Sequence, residues 1–171
     1  ADALIAFFHD RLQGLLRERG ATAGEVDAVI SQAPTRLWLV PAQVDAVRAF
    51  SALPEAASLA AANKRIGNIL RKSGAGAAAD VDPALFADAA ERALFERIEA
   101  LAPRVGTAMQ ARDFTGALTV LAGARDAVDQ FFDGVMVMAD DARVRGNRLA
   151  LLARLHAMMN QVADLSKLSN A

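Results

Sequence analysis

Five residues that can contact a phosphate or a base lie within nine positions of the stretch AAANKRIGNILRKSGAG. They are Lys64, Arg65, Asn68, Arg71 and Lys72. Lysine and arginine neutralise phosphates, while amide and guanidinium groups hydrogen-bond to base edges. At about 100° per residue, these five residues share one side of a helix and the apolar residues share the other. The pattern fits a nucleic-acid contact, and it also fits the solvated side of an ordinary helix.

Two features of this stretch bear on that choice. A solvated helix face usually places acidic residues one turn from basic ones, and no acid follows Glu55 here. Cations near a helix C-terminus also complement the helix dipole, which supports the structural alternative. Gly67 costs the helix roughly 1 kcal/mol relative to alanine, so we expect another helix or a ligand to approach its backbone.

Other kinds of chemistry have little support in the sequence. Cysteine is absent, and the two histidines, His9 and His156, cannot form a zinc site by themselves. The chain has no glycine-rich phosphate loop after a strand and no nucleophile elbow. The adjacent acids Asp140 and Asp141 are explained by helix capping. We therefore expect no catalytic residue and no metal site.

Two polar residues fall on apolar helix stripes and should belong to a structural polar network. Asn63 flanks Ala62 and Ile66, and Arg148 lies close to the line of apolar residues in the last helix. A buried guanidinium is tolerated mainly when it is paired with an acid. Asp129 and Asp133, in the preceding segment, are the first candidates for partners of Arg148.

Helical periodicity dominates the chain and predicts an all-α, single-domain fold, with strand-like alternation only over residues 135–138. We expect Gly20 to end the first helix, Asp82 and Pro83 to start a helix, and Pro103 to kink or break one. The longest helix is expected to run from Asp140 or Asp141 to near Asp164. Trp38 should fill the core, and the segment SGAGAAAD makes 73–81 a possible flexible linker.

Composition sets outer limits on function. The chain has 171 residues and a net charge of −1, so nucleic acid would have to bind at a local patch. No apolar run approaches the roughly 18 residues of a membrane span, and we expect no membrane association. The absence of cysteine suggests an intracellular protein. The first residue is Ala1, without a leader, so we expect a fragment of a longer protein.

Three stretches resemble the C-terminal domain of bacterial glycyl-tRNA synthetase beta subunits, a helical anticodon-binding domain of the DALR type. They are FFHDRLQGLLRERG, VDAVRAFSALPEAASLAAANKRIGNIL and VDQFFDGVMVMADDARVRGNRLALLARL, followed by VADLSKL. The middle stretch is also loosely similar to the C-terminal domain of class I arginyl-tRNA synthetases. The resemblance covers nearly all of residues 1–171.

This resemblance implies a module without an active site that belongs to an ATP-dependent glycine–tRNA ligase. In that family a cytoplasmic heterotetramer divides the work: the alpha subunit uses ATP and Mg²⁺, and the beta subunit holds tRNA(Gly). The fragment itself would then bind no cofactor. The five residues of the opening stretch would bind tRNA, and the two cytosines that end glycine anticodons would suit carboxylate or carbonyl acceptors.

The alternative is a helical protein-interaction module. It would dock on other beta-subunit domains or on the alpha subunit and make little contact with tRNA. The near-neutral net charge favours this interpretation.

Overall fold

The computed structural model describes residues 2–74 and 80–170. This part of the chain is helical and contains no strand, which confirms the all-α prediction, and residues 135–138 form a loop. The α-helices are α1 (Asp2–Glu18), α2 (Ala23–Ile30), α3 (Val40–Ser51), α4 (Ala56–Ser73), α5 (Ala89–Gln110), α6 (Phe114–Ala122), α7 (Arg125–Gly134) and α8 (Ala142–Met159). Short 3₁₀ segments occupy Leu37–Leu39, Pro83–Leu85 and Leu165–Asn170.

The helices form a bundle around one apolar core. Helix α3 packs between α2 and α6, and α5 packs against α6, α7 and α8. Helix α4 lies against α7, α8 and the C-terminal 3₁₀ segment, which also contacts α2. The largest fully buried side chains come from α3, α4, α5, α6, α7 and α8, and they include Phe50, Leu59, Ile66, Ile98, Leu118, Phe131, Leu151 and Met159. The core therefore holds α4 on both flanks.

Side-chain caps set where several helices begin. Asp88 and Glu91 form a capping box at the start of α5, and Asp113 accepts a hydrogen bond from the Gly116 backbone at the start of α6. Asp141 caps α8 by accepting from the backbone N–H groups of Arg143 and Val144 at 2.7 and 3.2 Å. These backbone hydrogen bonds hold the pKa of the Asp141 carboxyl below its usual value. Capping was the predicted role for this residue.

Three expectations about the helices need correction. Asp82 and Pro83 start only the 3₁₀ turn Pro83–Leu85, because a second capping signal at Asp88 begins α5. Helix α5 is not broken at Pro103, which is exposed, while Leu101 and Val105 stay buried on either side. Helix α8 ends at Met159, and α5, with 22 residues against 18, is longer.

Glycines in the left-handed region follow two of the helices. Gly20 lies just beyond α1 with a φ of 89°, as predicted, and Gly74 follows α4 with a φ of 62°. Residues 75–79 of the expected linker lie outside the described residues. Asp82, just beyond it, is fixed to α8: its backbone N–H and C=O both bond the Asn147 amide, at 2.8 and 2.9 Å.

The expected core position of Trp38 is wrong. Its side chain is 70% exposed, because the 3₁₀ turn Leu37–Leu39 directs it to the surface while Val40 enters the core. None of the helices described here is both long and apolar enough to span a membrane.

Candidate nucleic-acid interface

Helix α4 separates its apolar and basic residues as the sequence predicted. Leu59, Ala62 and Ile66 are buried, and Ile69 and Leu70 are half-buried against the core. The opposite side carries Lys64, Arg65, Asn68, Arg71 and Lys72, all of them exposed. We call these five residues the basic face. The 3.6-residue period places the two groups apart, and burial of the apolar group fixes the basic face outward.

The side chains of the basic face are partly ordered by local contacts. Arg71 donates from Nη2 to Asn68 Oδ1 at 2.9 Å. The guanidinium carbon of Arg65 lies 4.3 Å from the centroid of the Phe132 ring on α7. Among the described residues, no acidic side chain forms an ion pair with Arg65, Arg71 or Lys72. These three positive charges are therefore available to a partner.

Two surface grooves flank the basic face. The first has a volume of about 420 Å³, and it is lined by Ala61, Lys64, Arg65, Asn68, Ile69, Lys72 and Ser169. The second runs between α4 and the C-terminal end of α8, with a volume of about 490 Å³. We call it the α4–α8 groove. Lys64 and Asn68 line both grooves, so they form the ridge between them.

Two side-chain amides of the α4–α8 groove, those of Asn63 and Asn160, hydrogen-bond to each other. Asn63 is fully buried, and its Nδ2 donates to Asn160 Oδ1 at 2.8 Å while Asn160 Nδ2 donates back to Asn63 Oδ1 at 2.9 Å. Asn160 Oδ1 also accepts from the Leu165 backbone N–H at 3.2 Å. The prediction that Asn63 belongs to a structural polar network is confirmed. Its partner, Asn160, was not identified from the sequence.

Sequence reasoning also missed two titratable residues of this groove, His156 and Asp164. The sequence predicts that His156 forms no zinc site, and it indicates Asp164 only as the expected end of the last helix. Burial lowers the pKa of the His156 imidazole, and the nearby Asp164 charge partly opposes that effect. The one sequence signal that pointed here was Gly67, which faces His156 across the groove.

Arg148 is buried and paired with an acid as predicted, but the acid is Glu91. Arg148 donates from Nε to Glu91 Oε1 at 3.0 Å and from Nη2 to Glu91 Oε2 at 3.1 Å. A third hydrogen bond, from Nη1 to the Met136 backbone oxygen, is 2.7 Å long. Glu91 Oε2 also accepts the backbone N–H groups of Ala87 and Asp88. This arrangement ties α5, α8 and the loop before α8 together.

The two acids expected beside Arg148, Asp129 and Asp133, are not its partners. Asp129 pairs with Arg125 one turn earlier on α7, at 3.2 Å, and accepts a hydrogen bond from the Ser58 hydroxyl. Asp133 is exposed on the surface of α7. The prediction of either acid as the partner was wrong, because Arg148 points from α8 toward the start of α5 instead of toward α7.

Among the described residues, no group of three or more His, Cys, Asp or Glu side chains is arranged to hold a metal ion. The other histidine, His9, lies on α1 with its Nε2 3.0 Å from the Pro34 carbonyl oxygen. The features that can contact a partner at α4 are therefore cations, amides, one imidazole and one carboxylate. This combination suits hydrogen bonding and phosphate neutralisation.

Comparison with known proteins agrees with this geometry. Residues 59–169 match the family model of the DALR anticodon binding domain. They include all but the first three residues of α4, the whole of α8, and every residue that lines the two grooves except Gln32. The glycine–tRNA ligase beta subunit of Thiobacillus denitrificans is 55% identical over 163 residues, which cover 95% of this chain and 23% of that relative. The corresponding subunit of Dechloromonas aromatica is 55% identical over 170 residues, covering 99% and 24%. That of Ralstonia nicotianae is 53% identical over 167 residues, covering 98% and 24%. The chain spans about a quarter of the length of these relatives.

Proposed function

The chain belongs to the family of DALR anticodon binding domains, and from that membership we propose that it binds the anticodon region of a tRNA. The similar proteins named as glycine–tRNA ligase beta subunits suggest tRNA(Gly) as the ligand. The module would position this tRNA for aminoacylation at a catalytic site on another subunit. It would carry no catalytic residue itself.

The observation that carries this proposal is the exposed basic face on α4. Arg65, Arg71 and Lys72 lie on one side of a helix that the core holds on both flanks, and described acidic residues leave these charges unpaired. Since the whole chain has a net charge of −1, the attraction for a phosphate backbone must come from such a local concentration. The basic face supplies it beside two grooves.

In tRNA recognition, the cations of the basic face and the two grooves would have separate roles. Lysine and arginine of the basic face would anchor phosphates of an unpaired loop, while splayed bases would enter the flanking grooves. Arg65 presents a guanidinium plane held over Phe132, and such planes stack on bases. The chain has no tyrosine, and Trp38 lines neither of the grooves that flank α4, so stacking near the basic face would rely on Arg65.

The assembly around this module would be the alpha and beta heterotetramer of a cytoplasmic glycine–tRNA ligase. The alpha subunit would use ATP and Mg²⁺, and the module would need no cofactor of its own. The relatives extend to about four times its length, so the remaining beta-subunit domains would be its neighbours.

A salt titration tests the proposal. The 171-residue chain would be titrated with an RNA hairpin that carries the glycine anticodon loop, at increasing salt concentrations. If three or four cations neutralise phosphates of a single-stranded loop, the slope of log affinity against log salt should be roughly −2 to −3. A flat dependence would contradict phosphate contact.

Charge reversal locates the contact. The variant R65E/R71E/K72E should lose most of the affinity and most of the salt dependence. The matched control is R19E/R97E/R104E, which reverses three exposed arginines outside α4 that form no ion pair with described residues. If both variants weaken binding equally, the basic face is not the contact. Circular dichroism melting of each variant separates lost binding from lost folding.

A second candidate function is protein docking, which an exposed apolar cluster favours. Leu4, Phe7, Phe8 and Leu15 on α1 and the neighbouring Trp38 are 44 to 70% exposed. Together with polar residues of α1, three of them line a groove of about 900 Å³. Exposed apolar clusters of this kind often mark contacts with other protein surfaces. The remaining parts of a longer beta subunit would be the partner.

The two functions predict different responses to the same variants. Docking alone predicts no salt-dependent RNA binding and a gain in solubility for W38S/F8S. tRNA binding predicts a steep salt dependence that W38S/F8S leaves unchanged, because this cluster lies on α1 and the Leu37–Leu39 turn, outside the grooves that flank α4.

A further inference from the structure

The α4–α8 groove has the size and polarity of a small ligand site. Its volume of about 490 Å³ falls within the range of small-molecule pockets, roughly 300 to 1,000 Å³. Positive residues, Lys64 and Arg71, lie on its α4 side, and His156 and Asp164 line it from α8 and the segment that follows. The groove thus combines cations for a phosphate with groups that can hydrogen-bond a base.

The side-chain amides of Asn63 and Asn160 are not available to a ligand. Each of Asn63 and Asn160 uses its side-chain amide on the other, and Asn160 Nδ2 also donates to the His156 backbone oxygen at 2.8 Å. This pair fixes α4 against the end of α8 and so sets the width of the groove. Selectivity must come from other groups.

Two titratable residues of the groove, His156 and Asp164, can supply that selectivity. The imidazole of His156 makes no hydrogen bond to any described residue. Asp164 Oδ1 accepts from the Ser166 backbone N–H at 3.1 Å and from the Ser166 hydroxyl at 2.6 Å, while Oδ2 has no such partner in the described chain. The Asp164 backbone N–H is bound to the Ala28 carbonyl oxygen at 2.7 Å. The carboxylate is therefore held in place with one oxygen unused.

Gly67 lines the groove, and the packing around it does not account for a glycine at this position. A Cβ built on Gly67 would lie 3.5 Å from His156 Nε2, an ordinary van der Waals distance, so the packing of α8 does not require glycine here. Its φ is not in the left-handed region either. A helix keeps an interior glycine at a cost in stability. Without a side chain, Gly67 presents its backbone to the groove that it lines.

On the premise of the proposed tRNA-binding function, we propose that the α4–α8 groove holds one unpaired nucleotide whose base carries an amine beside a ring acceptor, as cytosine and adenine do. The unused Asp164 oxygen would accept from the amine, and His156, with its hydrogen on Nε2, would donate to the ring nitrogen. Arg71 and Lys64 would neutralise the adjoining phosphates. The backbone of Gly67 would lie against the base.

The same groups disfavour the other two bases. Uracil and guanine present a carbonyl oxygen where cytosine and adenine present the amine. That oxygen would face the Asp164 carboxylate, and the two acceptors would repel each other. Burial lowers the pKa of His156, so the imidazole is neutral near pH 7 and offers a single donor. The cytosines of a glycine anticodon fit this pattern.

The test compares hairpins that carry the glycine anticodon loop with cytosine, adenine or uracil at each of the two cytosine positions. The wild-type chain should prefer cytosine or adenine over uracil at one position by roughly five- to one-hundred-fold. D164N should abolish most of that preference, since an amide can donate to the uracil oxygen. The control D45N removes an exposed carboxylate on α3 and should leave the preference unchanged.

G67A provides a variant that should fold at least as well as the wild type. It should raise the melting temperature and weaken binding of the cytosine loop by roughly ten-fold, the effect of one misplaced methyl group in a close-fitting pocket. The nucleotide pocket is refuted if RNA binds with a steep salt slope while D164N keeps the base preference or G67A keeps the affinity. If the wild-type chain shows no salt-dependent RNA binding at all, the proposed function fails with it.

Discussion

The guanidinium carbon of Arg65, on α4, lies 4.3 Å from the centre of the Phe132 ring on α7. The contact places the guanidinium over the ring, and Arg65 stays exposed beside the groove of about 420 Å³. A cation held in this way acts as a flat surface as well as a charge. Lysine cannot replace it in both respects.

We therefore expect R65K to weaken binding of the anticodon hairpin by about 1 kcal/mol while leaving the salt slope nearly unchanged, because the charge stays and the stacking plane is lost. Fluorescence anisotropy at several salt concentrations measures both quantities. F132L should act in the same direction. R104K, an equivalent change at an exposed arginine of α5, serves as the control. Equal affinity of R65K and wild type would show that Arg65 acts only as a charge.

The Glu91–Arg148 pair should dominate the stability of the bundle. Glu91 is fully buried, and removal of either partner leaves an uncompensated buried charge. We expect E91Q and R148M each to cost about 3 to 5 kcal/mol in the free energy of unfolding, and the double variant to cost clearly less than their sum. Urea denaturation in a double-mutant cycle measures the difference.

The pair Glu99–Arg154 is the control for that cycle. Both side chains are 44% exposed, so E99Q/R154M should cost less than about 1 kcal/mol. An additive result for Glu91 and Arg148 would mean that the two groups are stabilised independently by their backbone partners.

Asn63 should contribute to stability more than its exposed neighbour Asn68. N63A removes both amide hydrogen bonds to Asn160 and should cost about 2 kcal/mol or more, whereas N68A should change stability by less than about 0.5 kcal/mol. Hydrogen exchange at the Leu165 backbone N–H, which donates to Asn160, should accelerate in N63A. Unchanged protection there would mean that Asn160 holds its position without Asn63.

Stability should fall as the pH drops below about 6.5, the usual histidine pKa. Burial places the pKa of His156 below that value in the folded chain, so the unfolded chain takes up the proton first. Proton uptake by the unfolded chain favours unfolding, and the loss continues until the pH reaches the lowered pKa. H156Q should remove this part of the pH dependence. D164N should increase it, because the Asp164 charge favours the protonated imidazole.

Thermal melts of the wild type, H156Q and D164N should be compared between about pH 5 and pH 8, the range over which histidine titrates. Two cations, Lys64 and Arg71, line the same groove as His156. Parallel curves for wild type and H156Q would assign the acid sensitivity to other groups.

The features that could be predicted from the sequence are helix faces and helix starts, which depend on residues close together in the chain. Periodicity alone separates Ile66 from Arg65 on α4, and Asp113 and Asp141 identify their helix starts because a cap bonds backbone groups within the next turn. The same reasoning predicted that Arg148 is buried. It could not identify Glu91, which lies 57 residues away and meets Arg148 only after α5 and α8 pack.

The candidate site was likewise predictable only where it depends on residues close together in the chain. The basic face follows from spacing, whereas the α4–α8 groove needs α4, the end of α8 and the segment containing Asp164 to come together. His156 and Asp164 carry no local sign of this meeting. Trp38 was misplaced for a related reason: its size suggests burial, but the 3₁₀ turn that exposes it depends on the helices around it.

The residues just before the C-terminal 3₁₀ segment form hydrogen bonds with residues of α2, of α3 and of the turn after α2. Asp164 bonds the Ala28 carbonyl, and Gln32 and Gln43 donate to the backbone oxygens of Asn160 and Val162. During synthesis, α2 and α3 leave the ribosome well before these partners exist. Helices α2 and α3 therefore lack these hydrogen-bond partners at first, and the bundle can be completed only after this segment has been translated. A pause in translation before residue 160 would prolong the exposure of α2 to chaperones and proteases.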